Sequence, residues 1–267
     1  MEAAQAIDLI LASQPLALAT DFDGTISPIA PTPGEAEVHP GCREALRSLS
    51  QTLPVVAIVS GRPAEEVRRL VALDGVVYIG NHGLERCERG AVHIEPAASQ
   101  QVEHIGRIIR AARRVLTSPG LLFEEKGAAA AVHYRLAPNP ELARVEVASV
   151  LRKLAAGTGV KVVEGRRVIE LRPDLEVNKG TALFGLLDAY ALRSAVYAGD
   201  DVTDADAFMG LRRWSSARDA TAVTVAIDSP EMPERLRKDA DVVLPGVEAW
   251  AEFLKRLVRG LEAGVTL

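Results

Sequence analysis

Two aspartates, Asp21 and Asp23, stand one residue apart directly behind the apolar run Leu16–Thr20, and Gly24 and Thr25 follow them. A DG pair by itself marks a turn. Behind a buried strand it promises more, because residues two apart in extended backbone point to the same side and can address one ligand. Two carboxylates held that close repel each other, and a bound divalent cation removes the penalty. Magnesium, hard and oxygen-seeking, suits carboxylates that also face a phosphate. An EF-hand calcium loop does not fit, since the glycine comes too early in the run and no glutamate closes the loop.

The elements that must hold these groups are short, continuously apolar segments: LALAT (16–20), VVAIVS (55–60), VVYIG (76–80), AVYAG (195–199), VTVAI (223–227) and VVLPG (242–246). Amphipathic stretches such as GCREALRSLSQ (41–51) and AEEVRRLVAL (64–73) lie between several of them. Strands covered by helices on both faces read this way, so the pattern predicts an α/β fold with a doubly wound parallel sheet. In such a sheet the carboxyl ends of the strands form one edge, where ligands bind. Polar clusters follow four of the strands: Asp21 and Asp23; Ser60, Gly61 and Arg62; Asn81, His82 and Gly83; Asp200, Asp201 and Asp204. Together they make a site.

Ser60 reads as the cap of a helix that Pro63 begins, and the free N–H groups of such a helix, with the hydroxyl, form a phosphate seat. Asp200, placed just after a strand and a glycine, is the better ligand candidate on the fourth strand. Asp204 and Asp206 also suit the first turn of a helix, and Asp206 is read as only that. Lys179, with Gly180 and Thr181 at a helix start, would balance the acids and bind an anion.

The middle of the chain changes character. A helix, SQQVEHIGRIIRAARRVLTS, is followed by a strand, AAAAVHYRL, a second helix over 140–156, and two strands, VKVVEG and RVIELRP. This predicts a smaller α+β domain over residues 99–172, inserted into a core made of 1–98 and 173–267 and lying over it. Pro96 and Pro173 punctuate the two crossings.

Composition narrows the function classes. The net charge of −5, with no basic run free of interleaved acids, argues against a nucleic-acid partner. No apolar segment approaches the roughly 20 residues that span a bilayer, so no membrane partner is expected. Cys42 and Cys87 share no metal-like or disulfide-like spacing and suit a reducing compartment. With no basic leader before the first apolar run, the cytoplasm is the expected location, and a monomer the expected state. Dinucleotide, P-loop and nucleophile-elbow signatures are absent from the sequence.

DFDGT (21–25), VSGR (59–62), Lys179 in NKG and GDDVTD (199–204) resemble, in order, the four motifs of the haloacid-dehalogenase-like phosphatases. GNHGLE (80–85), EEKGAAAAVHYR (124–135) and VIELRPDLEVNKG (168–180) look like the trehalose-6-phosphate phosphatase branch, and together the segments span the core and the insertion. The resemblance implies a Rossmann-like core with the insertion as its cap, and a small-molecule sugar phosphate as substrate. Asp21 would be the nucleophile that forms an aspartyl phosphate. Asp23 would protonate the departing sugar oxygen and then activate water. Mg2+ would be held by Asp21, the backbone carbonyl of Asp23 and Asp200, with Asp201 and Asp204 supporting the ion or its waters.

Thr25, Ser60 and Lys179 would bind the phosphoryl oxygens, while Gly61, Arg62, Asn81 and His82 would line the core side of the substrate. Glu124, Lys126, Arg135 and Glu170 would clamp the disaccharide from the cap. Read without the resemblance, Glu124 and Lys126 are surface charges of an edge strand, and His133 is a core-packed ring; His133 stays outside the site. Asn178 in VNKG is the main departure and touches no mechanistic group. The same chemistry on sucrose 6-phosphate or mannosyl-3-phosphoglycerate is the near alternative. A phosphomutase and a non-catalytic sugar-phosphate-binding module are more distant ones.

Overall fold

The computed structural model describes residues 1–30, 33–165, 167–229 and 232–264. Two compact units divide the chain: one joins Met1–His93 to Val177–Leu267, and the other is Ile94–Glu176. In the larger unit α1 (Ala3–Leu11) leads into β1 (Leu16–Thr20), followed by α2 (Pro40–Thr52), β2 (Val55–Val59), α3 (Ala64–Val71) and β3 (Val77–Gly80). Strands β4 (Glu85–Glu88) and β5 (Ala91–Ile94) come next. The smaller unit contributes α4 (Ser99–Val115), β6 (Leu122–Lys126), β7 (Ala129–His133), α5 (Pro140–Ala155), β8 (Val160–Gly165) and β9 (Val168–Pro173). The chain returns through α6 (Lys179–Asp188), β10 (Ser194–Gly199), α7 (Asp204–Arg218), β11 (Thr221–Ile227), α8 (Glu234–Asp239), β12 (Val242–Leu244) and α9 (Gly246–Gly264).

The large sheet has the order β12-β11-β10-β1-β2-β3-β4-β5. Every pairing from β12 to β3 is parallel, and β4 joins β3 antiparallel. Successive side chains of each strand enter opposite layers, as period-two backbone requires. Leu16 and Leu18 pack with Val56, Ile58 and Val196 against α1, α2, α3 and α9. Ala17 and Ala19 pack with Val55, Ala57 and Tyr197 against α6, α7 and α8. Covered on both faces, the strands have no use for polar alternation, which is why each reads as an unbroken apolar run. The chain steps outward from β1 through β2 to β3 on one side and from β10 to β12 on the other. The order therefore reverses at β1, whose carboxyl end carries Asp21.

The smaller unit is an antiparallel sheet of order β6-β7-β9-β8 with α4 and α5 on one face. It holds one strand more than the sequence reading allowed. Three charged residues in LFEEK mask β6 as loop, yet its alternate Phe123 packs on the helix layer. The β4 and β5 strands were missed for a related reason: they are short, and they are joined by Arg89 and Gly90, both at positive φ, rather than by an Asn-Gly pair. Among the described residues no helix is long and apolar enough to cross a membrane.

Helices α6 and α7 meet at two glycines. A Cβ on Gly210 would lie 2.2 Å from the Gly180 carbonyl oxygen. Gly210→Ala should therefore force the helices apart at the residue following Lys179, costing about 1–3 kcal/mol by overpacking. Thermal unfolding should show a midpoint lowered by several degrees; a variant that melts with the wild type would mean that the helices separate freely.

Candidate active site

Beyond β1, the Asp21 N–H donates to the Ala198 carbonyl on β10 at 2.8 Å, so the ladder runs one residue past the strand. The chain then turns, and the N–H groups of Ile26 and Ser27 both reach the Phe22 carbonyl. Gly24 sits in this turn at φ +80°, and a Cβ there would lie 2.1 Å from Asp200 Oδ2. Backbone conformation and close approach both demand glycine. The turn thus lays the DFDGT backbone against the Asp200 carboxylate, whose oxygens also accept from Thr25 Oγ1 and Ser229 Oγ at 3.4 Å each.

Lys179 opens α6, whose N-terminus is capped by Asn178 accepting from the Thr181 N–H at 2.9 Å. Its Nζ donates to Asp21 Oδ1 at 2.6 Å and to Asp204 Oδ1 at 2.7 Å, and its side chain is only 3% exposed. Asp204 Oδ1 also accepts from the Tyr197 hydroxyl at 2.7 Å, while Oδ2 accepts the N–H groups of Asp200 and Asp201 at 3.0 Å each. A carboxylate offers about four acceptor positions. Asp204 is saturated, and it binds the ammonium and the loop after β10 into one piece.

Carboxylate oxygens of Asp21, Asp200 and Asp204 lie within 4.8 Å of one another, all buried. One ammonium cannot neutralise three carboxylates. Burial, then the charges of Asp204 and Asp201, push the Asp200 carboxyl up to about 7. Burial also raises Asp21 well above the usual carboxylate range; Lys179 opposes it, and Asp204 and Asp200 reinforce it. Burial would discharge Lys179, but Asp204 and Asp21 hold it protonated. Surplus negative charge on hard oxygen donors fits a magnesium-type cation. Asp21 and Asp200 keep acceptor positions for it, whereas those of Asp204 are filled.

The other predicted site residues of this unit gather around the ends of β2 and β3. Arg62 clamps Asp23 with two hydrogen bonds, Nε to Oδ2 at 2.7 Å and Nη2 to Oδ1 at 2.8 Å, and donates to Glu66 Oε1 at 2.6 Å. Ser60 is buried, and its hydroxyl accepts from the Arg62 N–H at 3.1 Å. It does not cap α3 as expected. The N–H of Ala64, the first residue of α3, goes instead to Glu85 Oε2 at 2.9 Å. Asn81 and His82 are both left-handed, at φ 47° and 57°, and a Cβ on Gly61 would lie 2.7 Å from His82 Cε1. Asp201 is exposed, with Oδ1 accepting from the Val202 N–H.

In the smaller unit, the β6–β7–β9 register sets Glu124 and Glu170 on either side of Ala131. Lys126 lies between them, 3.4 Å from Glu124 and 3.6 Å from Glu170. His133 bonds Glu124 at 2.8 Å, holding its carboxyl below the usual range with help from Lys126, and Arg172 bonds Glu170. Three predicted sugar contacts therefore form one charged network on the sheet face opposite the helices. Arg135 occupies an exposed turn after β7, outside that network. His133 belongs to the charged face and is not packed in the core.

Sequence reasoning passed over Glu85, Tyr197 and Ser229. Glu85 had a signal, since GNHGLE was singled out; the other two act through a neighbouring strand or loop and left none.

The sequence profile of the trehalose-phosphatase family matches residues 19–239. A trehalose-phosphate phosphatase of Mycobacterium tuberculosis is 36% identical over 260 residues, an alignment covering 89% of this chain and 66% of that protein. The chain thus spans about two thirds of the length of its curated mycobacterial relatives. A crystal structure described as a trehalose-6-phosphate phosphatase related protein matches with TM-score 0.72 and 27% identity, over 94% of this chain and 99% of that one. The C-terminal domain of trehalose-6-phosphate phosphatase from C. albicans has the same fold, with TM-score 0.73 and 22% identity over 97% of each chain.

Asp200 binds its proton more tightly folded than unfolded, because its carboxyl rises from 3.8 to about 7. Stability should therefore fall as pH climbs through that window, with the full penalty above it. In chelator, denaturant unfolding should show a steeper fall in the wild type than in Asp200→Asn, where the buried Asp21 alone contributes, the difference reaching a few kcal/mol at alkaline pH. Saturating Mg2+ should flatten the wild-type slope. Equal slopes in both proteins would assign the proton elsewhere.

Proposed function

The chain belongs to the trehalose-phosphatase family, and on that premise we propose that it hydrolyses trehalose 6-phosphate to trehalose and inorganic phosphate. The observation that carries this reading is Asp21, buried at the reversal point of the sheet with Lys179 at 2.6 Å and Asp200 beside it. An Asp21 oxygen attacks phosphorus, the bond from phosphorus to the sugar oxygen breaks, and Asp23 gives that oxygen its proton. Asp23 then takes a proton from water as the water oxygen attacks the aspartyl phosphate, releasing phosphate and restoring Asp21. Thr25, Ser60 and Lys179 bind the phosphoryl oxygens and stabilise charge in the transition state. Magnesium held by Asp21, the carbonyl of Asp23 and Asp200 would supply the positive charge that offsets the phosphoryl group.

Asp204 fixes Lys179 and the Asp200 backbone, and Asp201 is left to water near the ion. Arg62, bonded to both Asp23 and Glu66, stands beside the proton-transfer group on the substrate side. Gly61, Asn81 and His82 line the same side. Glu124, Lys126, Glu170 and Arg135 of the smaller unit, acting as the cap, bind the sugar hydroxyls, charged groups being able to accept or donate several hydrogen bonds. Cys42 and Cys87 are buried free thiols, which suits a monomer working in the reducing cytoplasm.

Phosphate release across a panel of sugar phosphates at one Mg2+ concentration tests the substrate. Trehalose 6-phosphate should be preferred; preference for sucrose 6-phosphate or mannosyl-3-phosphoglycerate would keep the chemistry and discard the sugar. Asp21→Asn should fold and lose about 1,000-fold or more in turnover. Chelation should abolish the activity and added Mg2+ restore it; turnover that survives chelator would rule out the metal.

A further inference from the structure

Glu85 is a buried carboxylate that no step above uses. It stands on β4, outside the parallel strand ends, and is 4% exposed. Its two oxygens go to different pieces of the site: Oε2 accepts from the Ala64 N–H at 2.9 Å, and Oε1 accepts from Asn81 Nδ2 at 2.7 Å. The first bond caps α3, whose own N-cap residue is Pro63 and supplies no side-chain bond. The second fixes the amide of Asn81, first of the two left-handed residues. Backbone bonds complete the frame, from the Asn81 N–H to the Arg62 carbonyl at 2.8 Å and from the His82 N–H to the Ser60 carbonyl at 3.0 Å.

We propose that Glu85 is a positioning residue for phosphate binding: it locks the Ser60–Arg62 loop to the Asn81–His82 turn and thereby sets both Ser60 and the His82 ring. Non-glycine residues hold left-handed backbone only where their surroundings over-determine it, and the Glu85 carboxylate joins these backbone bonds in spanning both sides of the junction. The consequence reaches Asp23, because the loop that Glu85 anchors carries the guanidinium that clamps it. The effect on turnover rests on the phosphatase reading, while the effects on phosphate binding and on the His82 environment do not.

The test compares Glu85→Ala with Glu85→Gln. In Glu85→Gln the amide oxygen can accept from the Ala64 N–H, and the amide nitrogen can donate to Asn81 once the Asn81 amide turns over. The strut survives without its charge. Binding of inorganic phosphate, titrated calorimetrically with Mg2+ present, should weaken about tenfold or more in Glu85→Ala and stay within about threefold of wild type in Glu85→Gln. The His82 ring resonance, assigned by its loss in His82→Asn, should move in Glu85→Ala and return in Glu85→Gln. The proposal is overturned if Glu85→Ala folds with phosphate affinity and His82 resonance unchanged, or if Glu85→Gln loses as much as Glu85→Ala. Should Glu85→Ala not fold, Glu85→Asp carries the test: one methylene short, it cannot reach both donors, and wild-type values in it would equally overturn the proposal. A wild-type protein that releases no phosphate from any sugar phosphate would remove the proposed function and leave this result to be read from binding and resonance alone.

Discussion

A lysine ammonium held out of water between two carboxylates is the interaction on which the rest of this site depends. Burying charges is costly, and attraction repays the cost only when every donor and acceptor is placed. Lys179 can reach Asp21 and Asp204 together only because α6 begins beside the carboxyl end of β1 and α7 begins beside that of β10. That placement depends in turn on the close glycine contact between α6 and α7. Tyr197, from the strand beside β1, adds its hydroxyl to the same carboxylate. Helix packing, strand order and site electrostatics are one constraint seen at three scales.

Much of this was legible in the sequence because open parallel sheets concentrate chemistry at strand ends. Asp21, Asp23, Ser60, Asn81, His82 and Asp200 each follow an apolar run, and the sheet brings those ends to one edge. Lys179 was legible as a helix start in a site short of positive charge. The rest depended on tertiary partners that no local pattern encodes. Ser60 looked like a helix cap because Pro63 follows it, yet the capping acid comes from an antiparallel strand that reads as loop. His133 looked like a core ring because its neighbours are alanine and valine, but period-two backbone turns it to the charged face beside Glu124.

The two units use charge differently. In the larger one, acids are crowded, buried and short of counter-charge, which is a demand for a cation. In the smaller one, Glu124, Lys126, Glu170 and Arg172 alternate in sign and are partly exposed. Such a face is already paired internally, so it can exchange internal bonds for bonds to hydroxyl groups without stranding a charge.

Three carboxylates and one ammonium leave the buried cluster two charges short of neutrality. A divalent ion closes that balance, whereas a monovalent or trivalent one leaves a remainder among buried groups. Once the balance is closed, the carboxylates no longer repel an arriving anion. Under the proposed function, a phosphate group would then be held at short range by aimed hydroxyls and N–H groups as well as by charge. Recognition of this kind selects shape along with charge, so a planar carboxylate would gain less from entering than a tetrahedral oxyanion.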